Sequence, residues 1–194
     1  KPSKEQIINQ AFKFHSQGNI KEAIRYYEFF INQGFSDHRI FANYGGILKD
    51  IGKNNEAELY IRKAIDIKPD YAPAHYNLGN ILVALGKTQE AIYYIHKAIK
   101  YQPNFAEAYL NLGIIFKDNG KPREAEMSIR KAIKISPDLA LAHYNLGNVL
   151  KESGKLKEAE LSIEKTIELM PDFADSYYTL AIILINRGKL KDAE

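Results

Sequence analysis

The chain contains no cysteine, which excludes a disulfide framework and any thiolate-ligated metal site. It has no apolar run near the roughly 20 residues that a membrane-spanning helix needs. Neither sign of charge dominates. The 27 Lys and Arg residues against 24 Asp and Glu leave a net charge of +3, too small an excess to point to nucleic acid or an anionic membrane as partner. The opening residues, Lys1-Pro2-Ser3-Lys4, carry neither an initiator Met nor an apolar signal segment. They read as the start of a piece cut from a longer soluble chain, with the cytoplasm as the expected location. Hydrophobic residues at 45% and charged residues at 26% suit a folded soluble protein.

What the chain does have is a period. Gly18, Gly52, Gly86, Gly120, Gly154 and Gly188 recur every 34 residues, and a fixed period of that length marks a stacked repeat array. The copies span residues 4–37, 38–71, 72–105, 106–139 and 140–173, with a partial copy at 174–194, and together they read as a single array over 1–194. Each copy reads as two helices, A and B. In the third, Pro73 to Leu82 places apolar or small residues at spacings of three and four, the helical signature. Asp70 is placed to cap that helix, and Asn104 with Glu107 offers a capping box in the next copy. The periodic glycine ends helix A. Helix B follows, as in Glu90 to Ile99, and Pro69, Pro103, Pro137 and Pro171 punctuate its exit.

A second glycine row, Gly45, Gly79, Gly113 and Gly147, falls inside helix A, where glycine costs about 1 kcal/mol relative to alanine. Such a row requires helix B to pass too close for a side chain. Ala23, Ala57, Ala91, Ala125, Ala159 and Ala193 are the facing small residues on helix B. Ala64, Ala98 and Ala132 are expected to contact the following repeat.

Tyr109, Leu112, Gly113, Phe116, Ala125, Ile129, Ala132 and Pro137 carry a family resemblance. The pattern is similar to that of tetratricopeptide repeats (TPRs), and it recurs in one register over nearly the whole chain. The resemblance implies an all-α fold, a right-handed α-solenoid of antiparallel helix pairs that binds protein or extended peptide in a concave groove. The departures are local: Phe30 and Phe35 replace the expected Ala and Pro in the first copy, Thr166 replaces Ala in the fifth, and Ala181 replaces Gly in the sixth.

No cofactor, metal site or catalytic set is expected. Gly86-Lys87-Thr88 resembles the end of a phosphate loop, but Ile81 stands where its earlier glycine belongs. His75 and His143 are two repeats apart, too far to share an ion at about 10 Å per helix layer, and are expected to pack. The rows Glu22, Glu56, Glu90, Glu124, Glu158 and Lys63, Lys97, Lys131, Lys165 read as solvated faces, with helpful i,i+4 pairs at Glu58–Arg62 and Glu126–Arg130.

The row that invites a functional reading is Asn9, Asn43, Asn77, Asn111 and Asn145, broken at Thr179. It resembles the asparagine row in the TPR superhelix of O-linked N-acetylglucosamine transferases, which implies a position on the concave face. An asparagine amide both donates and accepts, so it can pair with a peptide group. The row either grips an extended main chain or bonds within the array. Tyr76, Tyr144 and Tyr178 would add flat contact surfaces, Asn80 and Asn148 polar contacts, and Lys117 and Lys151, with Lys49, attraction for acidic ligands. Asp118, Glu152 and Asp50 follow those lysines directly and oppose their field. Three readings follow: a peptide-binding scaffold, a substrate-presenting segment of a larger enzyme such as a transferase, and self-association through an uncapped C-terminal end at which Leu180 and Leu184 lack cover.

Overall fold

The computed structural model describes residues 2–188. They form α1 (Lys4–Ser16), α2 (Ile20–Asn32), α3 (His38–Asp50), α4 (Asn54–Ile67), α5 (Ala72–Ala84), α6 (Thr88–Tyr101), α7 (Ala106–Asp118), α8 (Pro122–Ile135), α9 (Ala140–Glu152), α10 (Leu156–Leu169) and α11 (Ala174–Asn186). Odd-numbered helices are the A helices of their repeats and even-numbered ones the B helices. The result is an all-α solenoid of antiparallel pairs. The chain divides into two compact units between Pro103 and Asn104, with α1–α6 in the first and α7–α11 in the second. Ala193 lies outside the described residues.

The turn between helices A and B is built the same way each time. Gly52, two residues past α3, has φ +81°, and Gly86, two past α5, has φ +72°. That left-handed conformation costs a residue with a β-carbon energy. The glycines inside helix A serve a different purpose. A β-carbon added at Gly79 would lie 2.6 Å from Ile95 Cγ1 and 3.3 Å from the Ala91 carbonyl oxygen. Gly45, Gly113 and Gly147 face the corresponding isoleucine and alanine of their own B helices in the same way. The small-residue rows are therefore the seam along which each helix pair closes. In the first repeat the seam is filled differently: fully buried Ala11 replaces the glycine and fully buried Tyr27 replaces the isoleucine.

The A helices bury the wider face. On α5, Ala74, His75, Leu78, Gly79, Ile81 and Leu82 are all buried, whereas α6 buries Ala91, Ile95 and Ala98. The first unit's core gathers Ile40, Leu48, Ile61, Leu78 and Leu82 among others. That of the second gathers Ile129, Leu146, Leu150, Ile163 and Ile183. Leu180 packs against the second core, and Leu184 is only 8% exposed. Tyr178 and Ile185 on the same helix are exposed at 72% and 49%.

Two expected caps do not form. Tyr71 and Phe105 take the N-cap positions of α5 and α7, and neither helix has a side-chain cap. Asp70 and Asn104 stand one residue too early. Side-chain caps appear instead in the earlier repeats. Ser3 and Gln6 form a reciprocal capping box on α1, and the Asp37 carboxylate accepts the Arg39 N–H at 2.9 Å on α3.

Candidate functional site

The asparagine row stands on the A helices. In the first unit, Asn9 is exposed on α1, while Asn43 on α3 and Asn77 on α5 are half-buried. The Asn77 amide nitrogen would lie 3.8 Å from a β-carbon built on Gly46, so it sits over a stretch of α3 that has no side chain. Asn77 has no side-chain hydrogen bond among the described residues. Asn43 is occupied, because it bonds the hydroxyl of Tyr27. Burial pushes that phenol up to about 12, with the Asn43 bond pulling the other way, and the hydroxyl also lies 2.8 Å from His15 Nδ1. In the second unit, Asn111 and Asn145 are half-buried on α7 and α9. Asn145 Nδ2 donates to the Leu141 carbonyl at 2.8 Å within its own helix. Its Oδ1 remains available as an acceptor.

The neighbouring residues divide in the same way. Tyr76 and Asn80 are half-buried on α5. On α9, Asn148 donates to the Tyr144 carbonyl at 3.2 Å and accepts from Lys151 Nζ at 3.1 Å. The Tyr144 ring meets Phe173 edge-on, with centroids 4.9 Å apart, whereas Tyr178 on α11 is 72% exposed. Lys49 and Lys117 pair with the acidic residue that follows each, at 2.8 and 3.3 Å, so the expected cancellation occurs there. Lys151 instead reaches back to Asn148.

The two histidines pack, as their positions require. Nε2 of His75 lies 2.8 Å from the Pro69 carbonyl, and Nε2 of His143 lies 2.9 Å from that of Pro137. A carbonyl can only accept, so Nε2 carries the proton in both rings. His75 is buried between the rings of Tyr94 and Tyr101, at 5.8 and 5.2 Å. Its Nδ1 is buried without a hydrogen-bond partner. Burial lowers its pKa, the Pro69 bond raises it, and Lys97 lowers it further. No group of three or more His, Asp or Glu able to hold a metal ion occurs among the described residues.

Sequence reasoning placed the glutamate row on a solvated face and missed what it does there. Arg62 binds Glu58 at 2.7 Å in its own helix and Glu90 of the next repeat at 2.6 Å, and Lys87 returns to Glu58 at 3.0 Å. Arg130, Glu126, Glu158 and Lys155 repeat the arrangement in the second unit. The signal was available in the shared offset of 28 residues between each Arg and its second Glu.

TPR repeat and tetratricopeptide repeat profiles match residues 38–71, 60–93, 79–120, 106–139 and 140–173, a continuous run through four helix pairs. The chain belongs to the tetratricopeptide repeat family. No curated protein sequence matches it. Among solved structures, MamA is similar with TM-score 0.70 and 24% identity over 89% of this chain and 94% of that one. PilF of Pseudomonas aeruginosa gives TM-score 0.86 and 16% identity over 98% and 86%. YrrB, described as a TPR protein with an unusual peptide-binding site, gives 0.69 and 21% over 86% of each chain. These likenesses are of fold. A TPR fold supports protein and peptide binding, and none of the described helices of this TPR chain is long and apolar enough to cross a membrane.

Proposed function

We propose that this TPR chain is a scaffold that holds an extended peptide by its main chain along the A-helix face of each unit. The observation that carries the reading is the Asn77 amide, half-buried, lacking a hydrogen bond and set over the bare backbone at Gly46. An amide held in that way can accept from one peptide N–H and donate to one C=O. Asn9, Asn43 and Asn80 with Tyr76 extend that face in the first unit. Asn111, Asn145 and Asn148 build it in the second, where Tyr144 and Tyr178 offer aromatic surface and Lys117 and Lys151 favour acidic side chains. The resemblance of the asparagine row to that of O-linked N-acetylglucosamine transferases supports the same main-chain grip.

The test is a displayed peptide library selected on the chain, followed by affinities for Asn77→Ala/Asn111→Ala/Asn145→Ala. Asn43 is left intact because it also supports Tyr27. Helical circular dichroism should be unchanged and affinity should fall at least about tenfold, the loss of roughly one net hydrogen bond or more. N-methylation of the selected peptide's backbone should weaken binding to the parent chain. Unchanged affinity in the triple variant sinks the main-chain grip.

A further inference from the structure

The two units contain the same local assembly, shifted by 68 residues, with aromatic rings present in the first that the second lacks. In the first, Tyr94 on α6 lies between the repeats. Its ring stacks on His75 at 5.8 Å, its hydroxyl accepts from Arg62 Nη1 at 2.9 Å, and the Arg62 guanidinium lies 5.5 Å from the ring centroid. In the second unit His143 holds the same carbonyl contact as His75, and Arg130 makes the same pair of carboxylate contacts as Arg62. The residue in the place of Tyr94 is Ser162, whose hydroxyl turns back to the Glu158 carbonyl at 3.0 Å. Tyr101 is likewise replaced, by Leu169.

The consequence is a cavity. An open space of about 390 Å³ lies between α8, α9 and α10, floored by Ile133 and Leu146 and bordered by His143, Ser162, Arg130 and Lys165. It is an open depression, bordered also by Lys134 and by Leu161, which is 66% exposed. His75 is 4% exposed under its tyrosines, whereas His143 is only half-buried. Lys97 keeps a counterpart without a ring, Lys165, whereas the counterpart of Lys63, Lys131, still meets the Tyr109 ring at 5.9 Å. Lys63 lies 5.2 Å from the Tyr60 ring and Lys97 5.4 Å from Tyr93, but no ring stands against Lys165 or Arg130 among the described residues. Arg130 Nη1, the counterpart of the donor to Tyr94, has no acceptor among the described residues, on a side chain 46% exposed.

We infer that this cavity is a docking site for a tyrosine side chain of a partner protein, on the B-helix side and separate from the proposed A-helix face. A phenol entering it would lie against His143 and Ile133, accept from Arg130 with its hydroxyl and offer its ring to the flanking cations. The chain itself fills the equivalent space with a tyrosine side chain two repeats earlier, at Tyr94. An unsubstituted phenyl ring would leave the arginine donor unused.

The experiment is an NMR titration with p-cresol, the tyrosine side chain alone, on the whole chain. Saturable shifts are expected at the His143 ring and at the Ile133 and Leu146 methyl groups, with His75 unmoved. Ser162→Ala leaves the cavity open and should bind as the parent does. Ser162→Tyr restores the first unit's arrangement and should abolish the shifts while keeping the helical spectrum. Toluene, which has the same shape without the hydroxyl, should bind about five- to tenfold more weakly. The inference is overturned by non-saturating shifts, by equal binding in Ser162→Tyr, by loss of fold in that variant, or by toluene binding as tightly as p-cresol.

Discussion

Two glycines in neighbouring helices show how much a single residue's surroundings decide. Gly79 is pressed against Ile95 and the Ala91 carbonyl, whereas a β-carbon at Gly46 would meet nothing closer than the Asn77 amide at 3.8 Å. Gly79→Ala gains helix propensity but overpacks the seam, and should lower unfolding stability by about 1–2 kcal/mol net. Gly46→Ala should raise it by about 0.4–1 kcal/mol. Urea titrations of both variants check the opposite signs. His75 supplies a second residue-level prediction. Its protonation would place a charged, unpartnered Nδ1–H in the core, and its folded pKa is accordingly below the ordinary value of 6.5. Its contribution is complete above that value and declines as pH falls towards the folded pKa, because the unfolded chain takes up the proton first. His75→Phe, which copies Phe41 from the preceding repeat, should reduce the loss of stability between about pH 6.5 and 5, as read from denaturation midpoints across that range.

At the scale of the element, A and B helices do different work. The A helices are buried on several sides and carry the asparagine row, while the B helices close the seam with small residues and link repeats on the outside. The Arg62–Glu90 contact joins α4 to α6 with side chains 38% and 41% exposed. A double-mutant cycle with Arg62→Gln and Glu90→Gln should give a coupling of about 0.5 kcal/mol that shrinks in high salt. No measurable coupling at low salt would reduce the clip to a geometric coincidence. The capping differences between helices were poorly legible in the sequence. Asp70 and Asn104 have capping chemistry, but the turn after each proline delays the helix by one residue. Helix ends depend on backbone geometry that residue type alone does not specify.

Within each unit a repeat contacts its sequence neighbours, so a local defect should stay local. Gly147→Ala, which presses on Ile163 and the Ala159 carbonyl, should reduce amide-exchange protection most in α9 and α10 and least in α1 and α2. A uniform loss along the chain would show instead that the array unfolds as one cooperative body. The same frame explains the uneven legibility of the site. The asparagine row could be read in full from its period, since one position in each repeat places one side chain on each A helix. Which of its members are free could not, because Asn43 is engaged by a tyrosine that only the first repeat places in the seam, and Asn145 turns onto its own helix.

The sequence by itself determined the helix pairs, their order and the seam between them. Those depend on short-range rules: the 3.6-residue turn, the glycine that alone tolerates the left-handed exit, and the close approach that only small residues permit. Tertiary structure decided what surrounds each repeated position. Substituting Ser162 for a tyrosine looks like one more tolerated difference between copies in the chain. In three dimensions the missing ring opens a cavity, because the histidine and arginine that would enclose it come from two other helices.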